Sequence, residues 1–87
     1  YTKQADNIFL FEGRTSLNDL LKIIGEQHEN TIEDARGEAE TLGGLVIEVA
    51  GRILKNNEYI VLGPLKLIVE SSDKKRVKSV KVCIDEN

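Results

Sequence analysis

The chain has 87 residues, enough for one modest hydrophobic core and a single domain spanning residues 1–87. Hydrophobic residues make up 40% and charged residues 31%, which excludes a disordered tail, and no apolar run approaches the roughly 18–20 residues that cross a bilayer. The net charge of −3 divides unevenly: residues 1–50 hold four Lys/Arg against ten Asp/Glu and residues 51–87 eight against five, or −6 against +3, which favours self-association or a charged partner over nucleic acid.

Residues 1–7 are polar; they carry no signal peptide and read as the end of a linker. The sequence has no Met, and the expectation is therefore a segment of a longer protein. Ile8, Phe9, Leu10 and Phe11 form a short apolar run closed by Glu12 and Gly13. That run predicts a strand covered on both faces, or an edge strand laid on a helix. Thr15 or Ser16 then caps an amphipathic helix. Its apolar residues Leu17, Leu20, Leu21 and Ile24 recur at i, i+3, i+4 and i+7, Asp19 sits in the first turn, and Gly25 ends it. Residues 26–40 hold six acidic side chains, one Arg, one His and almost no apolar anchor. They read as a long, mobile acidic connecting loop with a frayed helical piece around residues 32–39.

A second amphipathic helix follows. Leu42, Leu45, Val46, Val49 and Ile53 recur at i, i+3, i+4, i+7 and i+11, Thr41 suits the N-cap, and Gly51 suits a left-handed C-terminal residue. Gly43 and Gly44 are costly in a first turn, by about 1 kcal/mol each against Ala. Two accounts offset that cost: close approach of another backbone, or an anion seated on bare N–H groups at the helix start. No basic residue flanks the pair in sequence, which favours the first.

Residues 58–62, 65–70 and 76–84 are β-branched or alternating. They are separated by turn chemistry at Lys55-Asn56-Asn57, Gly63-Pro64 and Ser71-Ser72-Asp73-Lys74-Lys75. Leu65, Leu67 and Val69 share one face, as do Val80, Val82 and Ile84, while Val77 is out of phase and predicts a bulge. The expected class is α+β: an antiparallel-rich sheet of about four strands with two amphipathic helices packed on one face.

The Gly13-Arg14-Thr15 turn, the Thr41-Leu42-Gly43-Gly44-Leu45-Val46 block and Gly51-Arg52-Ile53 resemble the transporter-associated domain of CorC/HlyC proteins. So does the strand pair Leu65-Lys66-Leu67 to Val69 and Arg76-Val77-Lys78-Ser79-Val80-Lys81-Val82. The resemblance covers residues 7–84. It implies an accessory domain of a magnesium and cobalt efflux protein or haemolysin-C-like protein, on the cytoplasmic side of the membrane. There it follows a membrane-embedded region and a CBS pair, which become its expected partners beside a possible homo-oligomer. It also implies a fold similar to a flavin-binding-type (PCMH-like) domain, so flavin adenine dinucleotide or another nucleotide is the alternative ligand to none at all. Leu54 stands where the family usually has Pro.

Chemistry-bearing residues are few. His28 has no nucleophile and orienting group at a recognisable spacing, so it reads as a solvated loop histidine, and no catalytic residue is expected. Cys83 is the lone cysteine; it can form neither an internal disulfide nor a thiolate metal site, and it alternates out of phase with Val82 and Ile84. The acidic residues Glu26, Glu29, Glu33, Asp34, Glu38 and Glu40 lack the loop spacing of a cation site, so no metal is expected. Lys74, Lys75, Arg76, Lys78 and Lys81 read as a basic strand edge that deters pairing between molecules, or that meets an acidic partner or anionic lipid. A flavin or nucleotide needs a phosphate cradle, for which only Gly43 and Gly44 are candidates. Neither helix is long or basic enough for a membrane-damaging peptide.

Overall fold

The computed structural model describes residues 1–85. Five strands form one antiparallel sheet: β1 Thr2–Ala5, β2 Ile8–Glu12, β3 Tyr59–Leu62, β4 Leu65–Ser72 and β5 Val77–Ile84, in the spatial order β1-β2-β5-β4-β3. Three helices, α1 Leu17–Ile24, α2 Glu29–Arg36 and α3 Leu42–Ala50, complete the α+β fold, with a 3-10 turn Glu26–His28 ahead of α2.

The core lies between the helices and one sheet face. Pairings Phe9↔Val82, Phe11↔Val80, Leu67↔Val82 and Val69↔Val80 set those residues side by side across β2, β5 and β4. They form one cluster with Leu17, Leu20, Leu21 and Ile24 of α1, Ile32 of α2 and Leu42, Leu45 and Val46 of α3. Burying each such side chain contributes roughly 1.5–3 kcal/mol.

Local chemistry explains the helix ends. Ser16 caps α1, its hydroxyl accepting from the Asp19 N–H at 3.1 Å, and Gly25 N–H donates to Leu21 O. Thr41 caps α3 by accepting from Gly44 N–H at 3.1 Å, and Gly51 ends it in the left-handed region with φ 76°. The two-residue turns at Asp6-Asn7 and Gly63-Pro64 close the β1–β2 and β3–β4 hairpins. In the β4–β5 turn the Asp73 carboxylate accepts from the N–H groups of Lys75 and Arg76.

Several expectations are corrected. Residues 1–7 are not a linker end: β1 pairs with β2 and makes a fifth strand. Its four residues are all exposed, so it has no apolar alternation to read. Ile8, Phe9, Leu10 and Phe11 form neither a doubly covered nor an edge strand; β2 lies between β1 and β5, with only Phe9 and Phe11 buried. The acidic stretch 26–40 is not a loop throughout: the helical piece expected around residues 32–39 is α2, which begins earlier, at Glu29, and is anchored by the fully buried Ile32. The helix count is therefore three, not two. Val49 leaves the stripe and is 38% exposed, while Ile47, Ala50 and Ile53 pack partly buried against the core. The Val77 irregularity is present: pairing passes from Ser71↔Ser79 to Ser72↔Val77, skipping Lys78, and Val77 is buried.

Candidate functional site

Two helix starts meet the β2–α1 turn. Leu17 N–H donates to Glu40 O at 3.0 Å and Leu42 N–H donates to Thr15 O at 2.9 Å, a reciprocal pair around the Ser16↔Thr41 bridge. Gly43 N–H donates to Gly13 O at 2.8 Å, and Gly13 N–H donates to Lys78 O at 2.7 Å. The N–H groups of Leu42, Gly43, Gly44 and Leu45 thus have acceptors in Thr15 O, Gly13 O, Thr41 Oγ1 and Thr41 O. A helix start is an anion site when such groups are free. Here all four are occupied.

The glycines also answer a steric demand. A Cβ on Gly43 would stand 3.1 Å from Gly13 O and 3.2 Å from Val77 O, and one on Gly13 would collide with Val77 O. Backbone from the β2–α1 turn, β5 and α3 therefore converges where no side chain fits. Gly44 differs: its nearest neighbours would be Thr41 Oγ1 at 3.1 Å and the Ala39 Cβ at 3.4 Å.

The fold does bring cations to this place, although none flanks the pair in sequence. Arg14 and Arg76 line a shallow cavity of about 330 Å³ with Gly13, Thr41, Gly43 and Gly44. They continue into an open cleft of about 370 Å³ beside Glu12 and Lys78. Arg14 Nε donates to Glu12 Oε2 at 2.7 Å, with the Arg14 side chain 85% exposed. The arrangement offers solvated guanidinium groups and no free backbone donor, which suits surface charge rather than a phosphate cradle.

The remaining candidates are scattered. His28 is not solvated but 8% exposed, packed where the 3-10 turn enters α2. Among the described residues no three His, Cys, Asp or Glu side chains converge to hold a metal ion. Glu33 pairs instead with Arg36 at 2.9 Å. Lys78 and Lys81 do not mark a sheet edge, because β5 is paired on both sides, with β2 and with β4. Lys81 Nζ lies 3.1 Å from Glu70 and Lys78 Nζ 3.7 Å from Asp73. Arg52 and Glu58 form a bidentate pair, at 2.6 and 3.1 Å, that closes the loop after α3. That guanidinium and the Lys55 N–H hold the Glu58 carboxylate at a pKa of about 2.

Cys83 projects from the sheet face away from the helices, together with a group of apolar residues whose spacing as a set was not apparent in sequence. Cross-strand register gives two rows there, Leu10↔Lys81↔Ile68↔Tyr59 and Ile8↔Cys83↔Lys66↔Val61.

The CorC_HlyC family model, described as a transporter associated domain, matches residues 2–86. The chain belongs to the CorC_HlyC family. The transporter associated domain from a CBS domain protein of Porphyromonas gingivalis is 30% identical, with a TM-score of 0.81 over 94% of this chain and 93% of that one. The putative Mg2+ and Co2+ transporter (CorC) associated region from Neisseria meningitidis MC58 shares the fold at 22% identity, with a TM-score of 0.79 over 95% of each chain. A CorC_HlyC domain from a Xylella fastidiosa Temecula1 hemolysin, solved in complex with Mg++ and Mn++, does so at 21% identity and a TM-score of 0.71, over 97% of this chain and 94% of that one. No curated protein matches the chain. No helix among the described residues is long and apolar enough to cross a membrane.

Proposed function

We propose that this CorC_HlyC domain is a non-catalytic accessory module of a membrane protein of the magnesium and cobalt efflux or haemolysin-like type. It acts by protein contact on the cytoplasmic side and biases the transporter's conformation through a neighbouring CBS pair. The observation that carries the reading is the closed first turn of α3. The glycine pair that offered the best ligand cradle has its N–H groups bonded to Gly13 O and Thr41 Oγ1, so its smallness serves close packing. Family membership and the CBS-protein relative support the context. A domain that biases a transporter must make different contacts in two states. Deleting residues 1–87 from the full-length protein is therefore expected to change its magnesium and cobalt efflux in reconstituted vesicles while leaving membrane insertion intact. Unchanged efflux overturns the accessory role. Saturable micromolar binding of flavin adenine dinucleotide or ATP to the domain, measured by calorimetry, overturns the contact mechanism in favour of a sensor.

A further inference from the structure

In the middle of the sheet face turned away from the helices, apolar residues stand where an antiparallel sheet with one wet face alternates to polar. Tyr59 and Val61 are 54% and 59% exposed, and Ile8, Leu10, Ile68 and Cys83 are half-buried beside them. Each cross-strand row holds one lysine. Lys81 is paired with Glu70, whereas among the described residues Lys66 pairs with no carboxylate and stands over the Tyr59 ring, its Nζ 4.2 Å from the centroid. The geometry points to this face as the surface on which a neighbouring domain of the same full-length chain docks, presenting an apolar patch with a carboxylate opposite Lys66. This inference rests on the accessory reading above and names its contact surface.

Charge and area select that occupant. An apolar cover without an anion would leave the Lys66 ammonium buried and unpaired, so the partner supplies a carboxylate. Four strands about 4.8 Å apart and two rows about 7 Å apart give a face of only about 250 Å². A stable free dimer needs about 800 Å² per partner, so a second copy is too weakly held here. Anionic lipid recruits clusters of about four to eight Lys/Arg, and among the described residues this face holds only Lys66 and Lys81, the latter paired with Glu70. A tethered domain meets no such limit, because a linker raises its effective concentration to about 1 mM.

Cys83 lies inside the face, directly across from Lys66, and reports on its cover. The experiment measures maleimide labelling of the Cys83 peptide by mass spectrometry in the full-length protein at micromolar concentration. Labelling is followed before and after cleavage at a protease site inserted between that domain and Tyr1. With a Kd of about 0.1 mM the face is about nine-tenths covered while tethered, so cleavage is expected to speed labelling about tenfold. In the uncut protein, Lys66→Glu is expected to produce the same acceleration and Lys66→Arg to retain protection. The acceleration cannot arise locally, because a carboxylate beside the thiol disfavours the reactive thiolate. Amide exchange at Leu67 and Val80 confirms in each case that the sheet is intact. Equal labelling before and after cleavage overturns the surface. So does protection that survives cleavage and grows with protein concentration, which assigns it to a second copy, or protection that needs phosphatidylglycerol vesicles, which assigns it to lipid. If deletion alters efflux while Cys83 labels freely, the accessory role stands and this surface falls.

Discussion

Gly13 and Gly43 are small because neighbouring backbone occupies the space a side chain would take, whereas Gly51 is glycine because its φ of 76° disfavours any Cβ. The three positions should separate in urea unfolding. Gly13→Ala drives a methyl into Val77 O and should cost more than about 3 kcal/mol, the upper end of ordinary overpacking. Gly43→Ala gains about 1 kcal/mol of helix propensity but crowds two carbonyl oxygens, one of them its own hydrogen-bond acceptor, so a net loss of about 1 kcal/mol is expected. Gly51→Ala has open space around it and should lose about 1 kcal/mol from conformation alone. Glu58 supplies the pH-dependent case. Its carboxyl is lowered from 4.5 to about 2 by the Arg52 guanidinium first and the Lys55 N–H second. A lowered folded-state pKa gives stability that is present above the unfolded value and lost as pH falls toward the folded one. The stability difference between wild type and Glu58→Gln should therefore be full at neutral pH and shrink between pH 4.5 and about 2. Asp73, lowered by the N–H groups of Lys75 and Arg76, acts in the same direction.

Among the elements, α2 hangs on one fully buried apolar residue, with Ala35 packed partly buried beside it. Ile32 is fully buried while Glu29, Asn30, Glu33 and Asp34 face solvent. Ile32→Ala should cost roughly 2–4 kcal/mol as a large-to-small core change. Its signature should be local: amide exchange accelerates across Glu29–Arg36 while β4 and β5 stay protected. One large anchor in eight residues generates only a weak 3.6 period, which is why no more than a frayed helical piece around residues 32–39 is legible in sequence where α2 spans Glu29–Arg36. The edge strand β1 was illegible for a related reason, since a strand exposed along its whole length has no alternation and forms only because the Asp6-Asn7 turn folds it onto β2. The elements that could be read announce themselves chemically: α1 and α3 through Ser16, Thr41, Gly25 and Gly51, and β3 to β5 through β-branched runs between turns. At the candidate site the packing role of Gly43 was legible from its cost in a first turn. The approach of Arg14 and Arg76 was not, because 62 residues separate them and only the register of β2 against β5 brings them together.

For the molecule as a whole, the strand order ties the two ends of the chain together. β2 lies against β5, so the N-terminal hairpin supplies one flank of the C-terminal strand and Ile84 N–H donates to Asn7 O at 2.9 Å. Phe9 and Phe11 carry that contact into the core, at 8% and 1% exposure, and Tyr1 adds a ring 5.5 Å from Phe11. Two truncations should therefore behave differently although both remove N-terminal residues. Loss of residues 1–6 takes away only an exposed edge strand and the Tyr1 ring and leaves Asn7 in place. It should lower stability by about 1–2 kcal/mol with a cooperative transition retained, the scale of one aromatic contact and a few edge hydrogen bonds. Loss of residues 1–12 removes both phenylalanines, worth about 3–5 kcal/mol each, and strips β5 of a partner. Those two losses, about 6–10 kcal/mol together, take most of the roughly 5–15 kcal/mol available to a domain before the lost β2–β5 bonds are added, so no calorimetric unfolding peak should remain. A cooperative peak in the longer truncation would mean that β3, β4 and β5 with the helices form a self-sufficient core. The hairpin would then be an appendage rather than a wall of the fold.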